Sequence, residues 1–97
     1  LIAVADVICL VAEDKYTTVF YKGGKTVIND SLVELEKRYP EDLLRVHRKA
    51  LVAPAAIRGM QRISSGTSFV VLEGIEYQPE VSRRKLAAVR KYLRELG

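Results

Sequence analysis

Tryptophan is missing from these 97 residues, and cysteine, methionine and histidine occur once each. A single Cys9 rules out an intrachain disulfide and falls short of a zinc cluster, which takes about four Cys or His ligands. It sits inside the apolar run Val7-Ile8-Cys9-Leu10-Val11, where a thiol is expected to act as a small core residue and not as a redox or catalytic group. Such sparse cysteine usage fits a reducing, cytoplasmic setting. The lone His47 stands between Arg45 and Arg48 with no carboxylate nearby in sequence to orient it, so a nucleophilic or acid–base site is not expected and the chain reads as no enzyme. No apolar stretch approaches the ~20 residues of a bilayer span. Residues 1–12 come nearest, but they carry Asp6 and lack the basic start and cleavage site of a signal peptide.

Phosphate and metal motifs are missing as well. Gly23-Gly24 lacks the strand, glycine loop and helix context that cradles phosphate, and Glu34, Glu36, Glu41 and Asp42 lack calcium-loop spacing. No cofactor and no metal are therefore expected.

What is present is a chain of ordinary globular composition, 48% hydrophobic and 29% charged, of a length that suits one domain. Residues 1–12 read as two strands, and the β-branched and aromatic Thr17-Thr18-Val19-Phe20-Tyr21 follows after a corner at Glu13-Asp14-Lys15. Lys22-Gly23-Gly24-Lys25 then turns into a returning strand at Thr26-Val27-Ile28. Ser31 and Glu34 have capping-box spacing, Leu32, Leu35 and Tyr39 share one helical face, and Pro40 stops the run, which predicts a short central helix. Strands are expected at residues 44–47 and 50–53, and a hairpin should join residues 60–63 to residues 68–72. Glu73-Gly74 reverses the chain before Ile75-Glu76-Tyr77, and Pro79 breaks that pattern. Ser82 is expected to cap a final helix whose apolar stripe is Leu86, Val89, Leu93 and Leu96.

Net charge is +4 but unevenly spread, with 10 Lys and Arg against 11 Asp and Glu in residues 1–81, and 6 against 1 in residues 82–97. Two basic clusters result, Arg45-Val46-His47-Arg48-Lys49 and Ser82-Arg83-Arg84-Lys85. Cations in the first turn of a helix oppose its macrodipole, and a phosphate placed there would relieve the conflict. The alternative is a purely solubilising role. Charge alone attracts DNA, RNA and anionic lipid alike.

The order of these motifs resembles the LytTR DNA-binding family. The similarity runs over the whole chain, through residues 7–16, the small helix, Leu44-Arg45-Val46-His47-Arg48-Lys49-Ala50-Leu51-Val52, and Val81-Ser82-Arg83-Arg84. It implies a mainly β, elongated fold of sheets with one short central helix and a C-terminal helix, and loops that enter successive major grooves of double-stranded DNA. The two predicted helices lie too far apart in sequence for a helix-turn-helix, whose helices are joined by ~3–4 residues. By position, the resemblance places DNA-facing loops at Asp14-Lys15-Tyr16, His47-Arg48-Lys49 and Ser82-Arg83-Arg84. Arg48 and Arg84 are the candidates for base edges. Lys15, Tyr16, Lys49, Arg83 and Lys85 are candidates for phosphate or accessory contacts, with Ser82 beside them. For His47 a structural role stands level with DNA contact. The chain has Ala53 where many members carry Asn, so base preference does not transfer.

The implied role is that of the effector domain of a bacterial two-component response regulator. It would bind repeated half-sites as a pair of protomers, with a receiver domain upstream of residues 1–97 and no membrane partner. Two other functions fit the composition: a small β-domain that binds RNA or single strands through exposed aromatics such as Tyr16 and Tyr77, and a membrane or protein interaction module that uses the basic C-terminal helix.

Overall fold

The computed structural model describes residues 1–96, with side chains described through residue 95, so the expected place of Leu96 in the apolar stripe lies outside the described residues. Strand β1 (Val7–Ala12) opens the structure after a 3-10 turn at Val4–Asp6. Residues 1–12 thus contain one strand where two were expected. Asp6 N donates to Ala3 O at 2.9 Å and closes the turn ahead of β1, while Asp6 O accepts from Lys22 N at 3.0 Å across the sheet.

Strands β2 (Thr17–Tyr21) and β3 (Gly24–Ile28) complete the meander. Helix α1 (Leu32–Arg38) carries the expected capping box, with Ser31 Oγ accepting from Glu34 N and a Glu34 carboxylate oxygen accepting from Ser31 N. Strands β4 (Leu44–His47) and β5 (Ala50–Val52) then enter the first sheet, whose order is β3-β2-β1-β5-β4, all antiparallel. A second, three-stranded sheet follows, formed by β6 (Ile57–Arg62), β7 (Ser68–Leu72) and β8 (Glu80–Val81). The β6–β7 turn uses Gly66 at φ +95°, a backbone state that glycine adopts without steric penalty.

Ile75, Glu76 and Tyr77 form no strand. Pairing with β7 resumes only beyond Pro79, whose carbonyl accepts from Val70 N at 2.9 Å. Proline lacks an amide donor but keeps its acceptor, so it can begin a pairing segment that it could not have continued from the middle. Helix α2 (Leu86–Leu96) closes the chain.

The five-stranded sheet is the inner layer. Leu10 and Leu51 pack with Leu32 and Leu35 of α1 and with Leu43, while Cys9, Ala50 and Val52 pack on the opposite side with Ile57, Val70, Leu72, Val81 and Val89 of the second sheet and α2. Coverage on both faces explains why β1 and β5 are continuous apolar runs and not alternating ones. The molecule measures 36 × 28 × 25 Å, with its long axis moderately extended.

Candidate nucleic-acid interface

Three segments meet along one margin of the inner sheet. β1 ends at Ala12, which pairs with Thr17, so the loop of residues 13–16 lies at that end of the sheet. Val11 pairs with Ala50, which brings the Arg48-Lys49 turn between β4 and β5 to the same end. Ala12 N donates to Lys49 O at 2.8 Å and fastens the two loops together. The third segment, residues 82–85, is far away in sequence but runs beside β4, because Ser82 N donates to Val46 O at 2.9 Å. Val46 is the unmatched residue of a β-bulge between Arg45 and His47. Bulges bend a strand and re-aim its neighbours, and they recur next to functional sites.

Each candidate side chain now has a position. Lys15, Tyr16, Arg48, Lys49, Arg83 and Arg84 are exposed, while His47, Ser82 and Lys85 are half-buried. Glu13 N donates to Tyr16 O at 2.8 Å and closes the first loop, leaving Tyr16 47% exposed. Tyr77, the other aromatic considered for base stacking, already stacks on Phe20 with ring centroids 5.3 Å apart. One of its faces is therefore occupied.

The Ser82 expectation is corrected. Its side chain makes no capping hydrogen bond, and Arg83–Lys85 form a 3-10 turn that precedes α2, which starts at Leu86. The turn is closed by Lys85 N donating to Ser82 O at 3.0 Å and by Leu86 N donating to Arg83 O. The basic triplet therefore sits in a separate short turn and not in the first turn of an α-helix. The triplet still lies within one turn of the N-terminus of α2, so the conflict with its macrodipole remains.

Two residues of the site were not singled out by sequence. Arg45 is only 14% exposed; its Nη1 donates to Arg48 O at 3.0 Å and its Nη2 lies 3.0 Å from Glu36 Oε1 on α1. In sequence Arg45 looks like one more cation of the cluster, and Glu36 like a solvated helix residue. No local signal separates a cation turned inward from one turned outward. His47 has a defined partner too, since its Nδ1 accepts from Lys49 N at 3.1 Å.

Cys9 is fully buried, and burial pushes its thiol up to about 12, so it stays protonated and inert near neutrality. Burial likewise raises the Tyr77 hydroxyl above the ordinary phenol range, helped by the negative charges of Glu13 and Glu80. Hydrogen bonding from Ser31, its backbone amide first, holds the Glu34 carboxyl below the usual range.

The LytTR family, described as the LytTr DNA-binding domain, matches residues 1–94. This chain belongs to that family. The LytTR domain is 35% identical over 97 residues to the positive alginate biosynthesis regulatory protein of Pseudomonas aeruginosa, covering 99% of this chain and 39% of that protein. It is 33% identical over 90 residues to the CO-responsive transcriptional regulator RcoM of Rhodospirillum rubrum, covering 92% and 38%. The chain thus spans about two fifths of the length of these relatives. Among solved structures, the LytTr DNA-binding domain of a putative methyl-accepting/DNA response regulator from Bacillus cereus superimposes with a TM-score of 0.80 at 27% identity, covering 95% of this chain and 84% of that one. The mainly β fold with its C-terminal helix is therefore the LytTR fold. No helix among the described residues is long and apolar enough to cross a membrane.

Proposed function

We propose that this LytTR domain is the sequence-specific double-stranded-DNA-binding effector of a cytoplasmic two-component response regulator that controls transcription. Its three marginal loops enter successive major grooves. Arg48 and Arg84 read base edges, since a guanidinium can bond guanine bidentately, while Lys15, Lys49, Arg83 and Lys85 neutralise phosphates, and Tyr16 and Ser82 make accessory contacts. Two protomers occupy repeated half-sites on one face of the duplex, spaced by about one helical turn or a multiple of it. A receiver domain upstream in the same polypeptide supplies the signal.

The observation that carries this reading is the pair of backbone bonds, Ala12 N to Lys49 O and Ser82 N to Val46 O. They gather six exposed or half-exposed cations from three distant parts of the chain onto one margin. The occupied face of Tyr77 counts against a stacking platform for single strands.

Selection from random duplexes tests the proposal directly and should return a repeated motif. Binding to that motif should fall with salt at a log–log slope of about −0.9 per phosphate contacted. A nearly flat salt dependence, or no enriched motif, would overturn it.

A further inference from the structure

The β4–β5 turn is held by its own peptide group. The Arg48-Lys49 amide is gripped at both ends by side chains of the strand that leads into it, with Arg45 Nη1 donating to the Arg48 oxygen at 3.0 Å and His47 Nδ1 accepting the Lys49 N–H at 3.1 Å. A peptide group is planar, so two bonds on its opposite ends oppose rotation of the whole plane. The Cα atoms of Arg48 and Lys49 lie at the two corners of that plane. Its orientation therefore sets the directions in which both side chains leave the turn.

The grip is itself anchored. Arg45 Nη2 reaches Glu36 Oε1 on α1 at 3.0 Å. On the far side of the turn, Lys49 O is held by Ala12 N at 2.8 Å. An arginine and a histidine are thus committed to backbone atoms of a turn whose own two side chains, Arg48 and Lys49, are both exposed. A turn that merely reverses the chain does not require this.

We infer that Glu36, Arg45 and His47 are positioning residues that aim Arg48 and Lys49, and that His47 acts on DNA through the Lys49 amide and not through a contact between its ring and a base. The inference rests on the DNA-binding reading above. Its chemistry separates the two imidazole nitrogens. With Nδ1 accepting, the neutral ring carries its proton on Nε2. The clamp needs Nδ1, whereas a base contact would use Nε2.

Asparagine places its amide oxygen near the position of Nδ1, and glutamine places its amide near that of Nε2. In the full protein, His47→Asn should keep both the hydrogen-bonded state of the Lys49 amide, read by NMR exchange without DNA, and the preference for selected over random duplex. His47→Gln should expose the Lys49 amide and lower that preference by roughly tenfold, the scale of one base contact misaligned. Arg45→Lys keeps the charge but cannot fork between Glu36 and the Arg48 carbonyl. It should lose preference to a similar degree, with net charge unchanged.

If His47→Gln keeps the preference while His47→Asn loses it, the ring contacts a base and the inference falls. It falls equally if preference and Lys49 amide protection part company in either His47 variant, or if Arg45→Lys discriminates like the parent. A parent protein that binds all duplexes alike would overturn the DNA reading, yet the amide comparison, made without DNA, would still decide whether His47 holds the turn.

Discussion

The two sheets of this domain bury their residues by different rules. In the inner sheet, Ile8, Cys9 and Leu10 are buried in succession, as are Ala50, Leu51 and Val52. In the outer sheet, β7 alternates strictly, with Ser68, Val70 and Leu72 buried and Phe69 and Val71 half-buried. The first pattern belongs to a strand covered on both faces and the second to a strand covered on one. The same contrast carries over to the margin. The inner sheet presents Arg48 and Lys49 from a turn clamped by side chains, whereas the outer sheet delivers Arg83 and Arg84 through β8 on a segment tied by Ser82 N to Val46 O. A two-sided wall supports a basic turn clamped by side chains, and a one-sided layer supplies a second basic segment attached through the backbone.

The largest expected effect tests the burial contrast. Leu51 is fully buried, and Leu51→Ala should cost about 2–5 kcal/mol in urea unfolding, whereas half-buried Val71→Ala should cost about 1 kcal/mol or less. Equal costs would dissolve the distinction between the layers. Next comes the alkaline limb of stability. The Cys9 pKa is raised from 9.0 to about 12 in the folded state, so its contribution is fully present below the unfolded value and is lost as pH rises through that window. The loss should reach on the order of a few kcal/mol. Cys9→Ala should remove that part of the alkaline decline, which urea titrations between pH 9 and pH 11 would reveal by comparison with the parent.

Smaller effects sharpen the contrast at the margin. Arg48→Ala and Arg84→Ala should each cost about 1–3 kcal/mol on a selected duplex and leave random-duplex binding nearly intact, measured by fluorescence anisotropy. If both folded variants kept full discrimination, these arginines would not be the readers. Smallest of all, Lys49→Ala and Lys85→Ala should weaken binding to every sequence alike and reduce the salt slope by about one unit each. A sequence-dependent loss would move that lysine into the reading group.

Much of the architecture was legible because it is written in short-range patterns. The Ser31 and Glu34 spacing marked α1, the paired glycines marked the β2–β3 turn, and the β-branched and aromatic runs marked β1, β2 and β7. The misses share a cause. Residues 1–12 hold one strand because Asp6 N closes a 3-10 turn on Ala3 O just ahead of β1, and Ser82 does not cap α2 because a 3-10 turn closed by Lys85 N on Ser82 O stands between them. Both turns adjoin a backbone group bonded to a distant segment, Asp6 O to Lys22 N and Ser82 N to Val46 O.

By itself, then, the sequence determined that the chain would be mainly β with two separated helices, that Cys9 would be core, and that cations would cluster at residues 45–49 and 82–85, since periodicity, capping and charge act over a few residues. Only the tertiary structure decided that Arg45 turns inward to grip a carbonyl while Arg48 turns outward, and that both clusters share one margin with Lys15 and Tyr16. Those outcomes depend on which buried partner reaches a backbone group first, and sheet pairing across dozens of residues, not local propensity, supplies that partner.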